Sequence, residues 1–203
     1  MLSNIKGVKL HMSFNFIKTD IEGVVIIEPK VFGDDRGYFM ETYQKDLFDK
    51  AGLTYNFVQS NQSKSHKGVL RGLHFQTRKP QAKLVRVVEG EVYDVAVDLR
   101  KDSPTYGKYI GVILSAEKHN MFMIPRGFAH GFVVLSETAI FEYQCDDVYD
   151  PGYEGGIMWN DPEVNIKWPY DGMLDLSPKD QKHPTLKDAH IEFGMKDGHL
   201  QVL

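Results

Sequence analysis

A single cysteine, Cys145, stands in a chain of 203 residues, so no internal disulfide and no thiolate cage for a metal can form. That usage fits a reducing compartment, and a cytoplasmic location is the expectation. Long apolar runs are missing too. Those present, such as Val24 to Ile27, fall far short of the roughly 20 residues that a membrane-spanning helix needs. Basic residues are in the minority, 24 Lys and Arg against 28 Asp and Glu, for a formal net charge of -4. With no basic stripe to steer a polyanion, nucleic acid is not an expected partner. There is no glycine-rich phosphate loop, no serine or cysteine in a nucleophile setting, and no internal repeat or low-complexity tract. The first dozen residues carry Lys6, Lys9 and His11 without a continuous apolar stretch and do not resemble a secretion signal. Met12 offers an alternative start, and residues 1–13 read as an N-terminal extension.

What is abundant is alternation. With 42% hydrophobic content the chain can bury one sizeable core, and a single domain over residues 1–203 is the expectation. Glu91, Tyr93, Val95 and Val97 alternate with Val92, Asp94, Ala96 and Asp98, the period of a β-strand. Gly37 to Tyr43, Lys83 to Glu89 and Tyr109 to Leu114 read the same way. Turn chemistry at Gly33 to Gly37, Glu89–Gly90, Asp102 to Pro104 and Pro125 to Gly127 separates these runs. Many short strands predict an all-β sandwich or barrel. Two helical segments are predicted: Gln44 to Ala51 with Gly52 as its stop, and a helix starting at Ser177, Pro178, Lys179, Asp180.

Ionisable groups interrupt two of the apolar runs. Arg71, Gly72, Leu73, His74, Phe75, Gln76 places an arginine and a histidine in what otherwise reads as buried strand, where such groups are costly. Pro125 to Phe132 repeats the arrangement with His130, so two histidines can face one cavity. A metal site fails on ligand count: no second histidine follows His74 two residues on, and Lys83 would repel a divalent ion. Proton transfer beside a ketone suits the set better. A neutral histidine is a base near neutral pH, Lys83 can stabilise an enolate oxygen, and Arg71 suits an anionic group. Each residue also has a structural reading. His74 can be a satisfied core histidine, with Lys83 and Arg71 extended to the surface. Tyr143 can be a packing aromatic or an acid opposite the base. Asp180 can serve a helix N-terminus or orient a histidine. Trp159 to Pro162 and Trp168–Pro169 read as packing and turns.

Several pieces in order carry a resemblance: Phe32 to Gly37, Val69 to Gln76, Gly90 to Asp98, Ile124 to Phe132, Trp159 to Asp161, and Leu176 to Asp180. From about Phe16 to Asp180 the chain resembles the dTDP-4-dehydrorhamnose 3,5-epimerase family, the RmlC-like cupins. The resemblance implies a cupin-type jelly-roll barrel with a few short helices. It implies inversion of C3 and C5 of dTDP-4-dehydro-6-deoxy-D-glucose, to dTDP-4-dehydro-L-rhamnose, with neither metal nor organic cofactor. It makes His74 the base, Asp180 its partner, Lys83 the group at the C4 enolate oxygen, and Tyr143 the acid on the opposite face. Arg36, Glu41, Gln59, Asn61, Arg71, His130, Glu154 and Lys179 fall on positions that bind the nucleotide sugar, and Phe32 and Tyr149 on positions able to pack against its nucleobase. A homodimer with strands near the N-terminus exchanged is implied as well. The tail from 181 to 203 has no clear counterpart. Rival readings are an epimerase of one centre only, a metal-dependent cupin and a non-catalytic sugar-binding cupin.

Overall fold

The computed structural model describes residues 13–202; of the N-terminal extension, all but Ser13 lies outside them. The chain begins with β1 (Phe14–Lys18), β2 (Val25–Pro29), β3 (Val31–Asp34), β4 (Gly37–Met40) and a short helix α1 (Lys45–Lys50). There follow β5 (Gln59–His66), β6 (Val69–Gln76), β7 (Lys83–Glu89), β8 (Glu91–Asp98), β9 (Tyr109–Ser115), β10 (Met121–Ile124), β11 (Phe128–Val134) and β12 (Thr138–Cys145). The last part holds β13 (Glu154–Gly156), β14 (Asp175–Leu176), β15 (Phe193–Lys196) and β16 (His199–Val202). One sheet runs β1-β2-β10-β7-β12-β5 and the other β13-β6-β11-β8-β9, with β14 added in parallel to β6. Two face-to-face sheets with antiparallel neighbours make the all-β jelly roll that the alternation predicts.

Between the sheets lie the residues of one parity from each strand: Val85 and Val87 from β7, Val92 and Ala96 from β8, Phe132 and Val134 from β11, Ala139 and Phe141 from β12. The opposite parity is covered too, so several strands are apolar on both faces. Outside the first sheet, α1 lays Phe48 over Phe14, Ile27, Leu84, Met121 and Met123. Outside the second, the C-terminal segment lays Ile157, Val164, Ile166, Leu186 and Phe193 over Leu73, Phe75, Val95 and Val97. The tail is therefore part of the core, with Phe193 fully buried.

The first predicted helix is present, and Gly52 closes it at φ +84°. The second is a single 3-10 turn, Asp180–Lys182: Ser177 Oγ accepts from Asp180 N as a cap would, but proline at 184 and an extended His183 end it at once. The strand expected through Tyr43 stops at Met40, because the Tyr43 ring turns onto Phe48 and Phe57 at 4.8 and 5.2 Å. Among the described residues no helix is long and apolar enough to cross a membrane.

Candidate active site

The pairing of β6 with β11 builds the site. His74 stands directly opposite His130, and Phe132 opposite Arg71, with a register shift between them. In a regular strand, residues three apart face opposite ways. Here Arg71 and His74 line the same cavity, because the ladder is irregular at Gly72 and Gly131. A Cβ on Gly72 would fall 2.6 Å from Gly131 Cα and 2.8 Å from the His130 carbonyl, and Gly72 has φ +124°. Only glycine permits that backbone approach. The cavity, about 630 Å³, opens at one end of the space between the sheets, where Phe132 and Phe141 stack at 4.2 Å as its apolar floor.

His74 is anchored from the C-terminal segment. β14 runs alongside β6, and the turn after Ser177 brings Asp180 Oδ1 to 2.6 Å from His74 Nε2. With Nε2–H donated to a carboxylate, the nitrogen left to accept a proton is Nδ1. Burial alone would push the Asp180 carboxyl up, but contacts from His183 and His74 outweigh it and hold Asp180 well below the usual carboxylate range. Of its two sequence readings, the histidine-orienting one is what the geometry displays.

Lys83 begins β7 on the same face as the core residues Val85 and Val87. Its ammonium makes no ion pair among the described residues and sits 5.9 Å from the centre of the Tyr143 ring. Burial lowers its pKa below the ordinary lysine value. Tyr143 continues the inward series Ala139, Phe141 on β12, and burial raises its phenol, so it stays protonated. Neither residue is a surface group, contrary to the structural reading of Lys83.

His130 lines the cavity but is already engaged: its Nε2 lies 2.9 Å from Asp94 Oδ2, and both side chains are buried. Burial pushes the imidazole down and the carboxyl up, which keeps the pair from presenting a free charge. Asp94 was absent from the sequence-derived candidates although it interrupts the inward series Val92, Asp94, Ala96, a legible signal. His183, packed against Asp180, was missed as well; it lies in an irregular segment without a period to betray it.

Arg71 reaches Ser65 Oγ at 3.0 Å at the cavity wall. Lys179 pairs with Glu154, which also accepts from Tyr149 Oη at 2.7 Å. Gln59 and Asn61 line an adjoining lobe of about 260 Å³ together with Tyr149 and Cys145, whose thiol burial pushes up to about 11. Phe32 and Arg36 are not brought to this cavity within the chain. They lie on the β3–β4 hairpin, which pairs with neither large sheet, and Arg36 is bound to Asp34. Glu41 follows that hairpin with a buried Oε2 that has no hydrogen-bond partner among the described residues.

The chain is a cupin-type jelly roll whose cavity gathers a paired imidazole, an ammonium and a phenol, groups able to exchange protons with a bound molecule. Comparison with known proteins sharpens this. The model of the dTDP-4-dehydrorhamnose 3,5-epimerase family matches residues 18–188. A dTDP-4-dehydrorhamnose 3,5-epimerase from Methanothermobacter thermautotrophicus is 54% identical over 180 residues, which cover 88% of this chain and 97% of that one. The crystal structure of the Legionella pneumophila dTDP-6-deoxy-D-glucose-3,5-epimerase, in complex with dTDP-4-keto-L-rhamnose, superposes with TM-score 0.85 at 50% identity, covering 86% of this chain and 94% of that one. A Streptomyces niveus dTDP-4-dehydrorhamnose 3-epimerase is 42% identical over 83% of this chain and 82% of its own. The chain belongs to the dTDP-4-dehydrorhamnose 3,5-epimerase family and is an isomerase. The match extends past Asp180, beyond the limit of the sequence resemblance, and includes His183.

Proposed function

We propose that the protein inverts C3 and C5 of dTDP-4-dehydro-6-deoxy-D-glucose to give dTDP-4-dehydro-L-rhamnose, by acid–base chemistry alone. The observation that carries the reading is the shared cavity of His74, Lys83 and Tyr143, with His74 Nε2 held by Asp180. His74 Nδ1 takes the proton from the carbon beside the C4 carbonyl, and the imidazolium formed is stabilised by Asp180. The electron pair moves onto the carbonyl oxygen, where the Lys83 ammonium offsets the developing negative charge. Tyr143 then donates its proton to the carbon from the other face, and solvent returns a proton to the tyrosinate and takes the one held by His74 before the second centre reacts. Return from the face of His74 would merely restore the starting sugar. Arg71 and Lys179 suit the diphosphate, and Gln59, Asn61, Glu154 and Tyr149 suit the rest of the nucleotide sugar.

The chain acts as a homodimer in this reading, the β3–β4 hairpin of one copy offering Phe32, Arg36 and Glu41 to the other. Support comes from the hairpin itself, which stands outside both sheets with Tyr38 and Phe39 61% and 65% exposed, an apolar surface that a partner would cover. β1, by contrast, pairs with β2 of its own chain.

The test is incubation with dTDP-4-dehydro-6-deoxy-D-glucose in deuterated water, followed by NMR of the sugar. Deuterium is expected at both C3 and C5. Label confined to C3 would replace the double inversion with the single one named in the Streptomyces niveus relative.

A further inference from the structure

His183 has no part in the reaction above, yet its ring is seated as a ligand would be. The side chain is 9% exposed, and apart from its long contact with Asp180 its Nε2 has no partner among the described residues and makes no well-formed hydrogen bond. That nitrogen stands 3.5 Å from Asp180 Oδ1, and the ring meets His74 edge-on with centroids 5.5 Å apart. Gly156, opposite His74 on β13, leaves the space: a Cβ there would fall 2.4 Å from His183 Cε1. One ligating atom each from His74, Asp180 and His183 lies within 4.8 Å of the others. Bonds of roughly 2.0–2.2 Å to zinc bridge such a triangle after small side-chain adjustments.

We propose that His74, Asp180 and His183 form a binding site for a divalent ion of the zinc class, and that its occupation switches the enzyme off. Two imidazoles and one carboxylate select zinc-like ions over magnesium or calcium, which prefer all-oxygen sites. An ion on His74 Nε2 displaces the proton donated to Asp180. A neutral ring metallated at Nε2 must carry its proton on Nδ1, so the lone pair that accepts the substrate proton is lost. The ammonium of Lys83 in the same cavity opposes a further cation, which makes the site weaker than a closed structural zinc centre and its occupation reversible. Only the inhibition rests on the function proposed above; binding of the ion does not.

Metal-free protein titrated with Co²⁺ near neutral pH is expected to develop visible ligand-field bands that saturate at one equivalent and vanish on adding Zn²⁺. In His183→Leu and His183→Gln the affinity should fall by at least the roughly 10–100-fold that even an outer-shell change costs. In the unaltered protein, zinc should shift the imidazole ¹⁵N resonances of His74 and His183, a measurement independent of any variant. No bands, or shifts confined to other histidines, would overturn the site. Turnover should stop with zinc and return with a chelator; zinc bound without inhibition would overturn the switch. Turnover abolished by chelator alone would instead sink the metal-free reaction and leave the binding result standing.

Discussion

Replacing His74 by alanine takes away the proposed base but little packing, since the side chain is one-third exposed. Turnover is expected to drop by about 10²–10⁴-fold, with the unfolding midpoint in urea nearly unchanged. Tyr143→Phe keeps the ring and loses the proton. Deuterium exchange at the sugar should then outlast net inversion, whereas parallel loss of both would contradict the division between base and acid. Lys83→Met should cost about 10²–10³-fold in kcat, the scale of one lost donor to a developing oxyanion. Burial lowers the Lys83 pKa, so its charged form is lost at lower pH than for a free lysine. Activity should decline on the alkaline side before pH 10.5 is reached, and the pH profile of Lys83→Met should lack that decline. At this scale the residues alone left His74, Lys83 and Tyr143 each with a structural reading beside the catalytic one, and only the resemblance supplied their roles; Lys83 and Tyr143 stand on the parity of core residues, whereas His74 shares its parity with Gly72 and Gln76. His183 was not legible, because its role depends on a turn that brings it back to a strand more than a hundred residues earlier.

Among the elements, β6 shows a strand whose limits follow from the sequence pattern while the facing of its side chains does not. Its limits at Val69 and Gln76 agree with the sequence motif, and β7 and β8 likewise begin and end where the alternation does. Strict alternation, however, puts Arg71 and His74 on opposite faces. The irregular step at Gly72 and Gly131 puts them on one, and period-2 reasoning has no term for it. Gly72→Ala should therefore do more than lower stability. A methyl 2.6 Å from Gly131 Cα must push β6 from β11, and about 1–3 kcal/mol of overpacking cost is expected, together with a loss of kcat as His74 leaves Asp180. Chemical denaturation and steady-state rates on the same preparation check both. Retained kcat in a destabilised variant would show that the bulge does not aim the base. The 3-10 turn at Asp180 was overread as a helix because a serine cap and a proline announce a start but not a length.

The molecule as a whole is fastened by a polar lock that takes no part in lining the cavity. Asp98 accepts from Arg100 Nε at 2.8 Å and Nη2 at 2.7 Å and from Ser103 and Thr105 hydroxyls at 2.7 Å, with no exposure of its own. Burial raises the Asp98 pKa, but these donors outweigh it and hold it below the ordinary value. A carboxylate depressed in the folded state contributes stability that is complete above its unfolded pKa, about 3.9, and is lost as pH falls through the lower folded value. Asp98→Asn strands Arg100 in the interior and should cost about 3–5 kcal/mol at neutral pH, measured by urea unfolding. The gap from the unaltered protein should narrow below about pH 4. Phe39→Asp should give a monomer by sedimentation and lose activity, as expected if the hairpin serves a second copy; an active monomer would contradict that arrangement. The two-sheet sandwich was legible from alternation and turns. The cover over its outer face was not, because residues 157–193 are mostly irregular and bury their apolar side chains without a period.

That cover carries the carboxylate which holds the His74 ring, 106 residues further along the chain. On the proposed mechanism, a polypeptide clipped before Ser177 holds that imidazole without its carboxylate, so proton abstraction is expected only once the segment after Ser177 has docked.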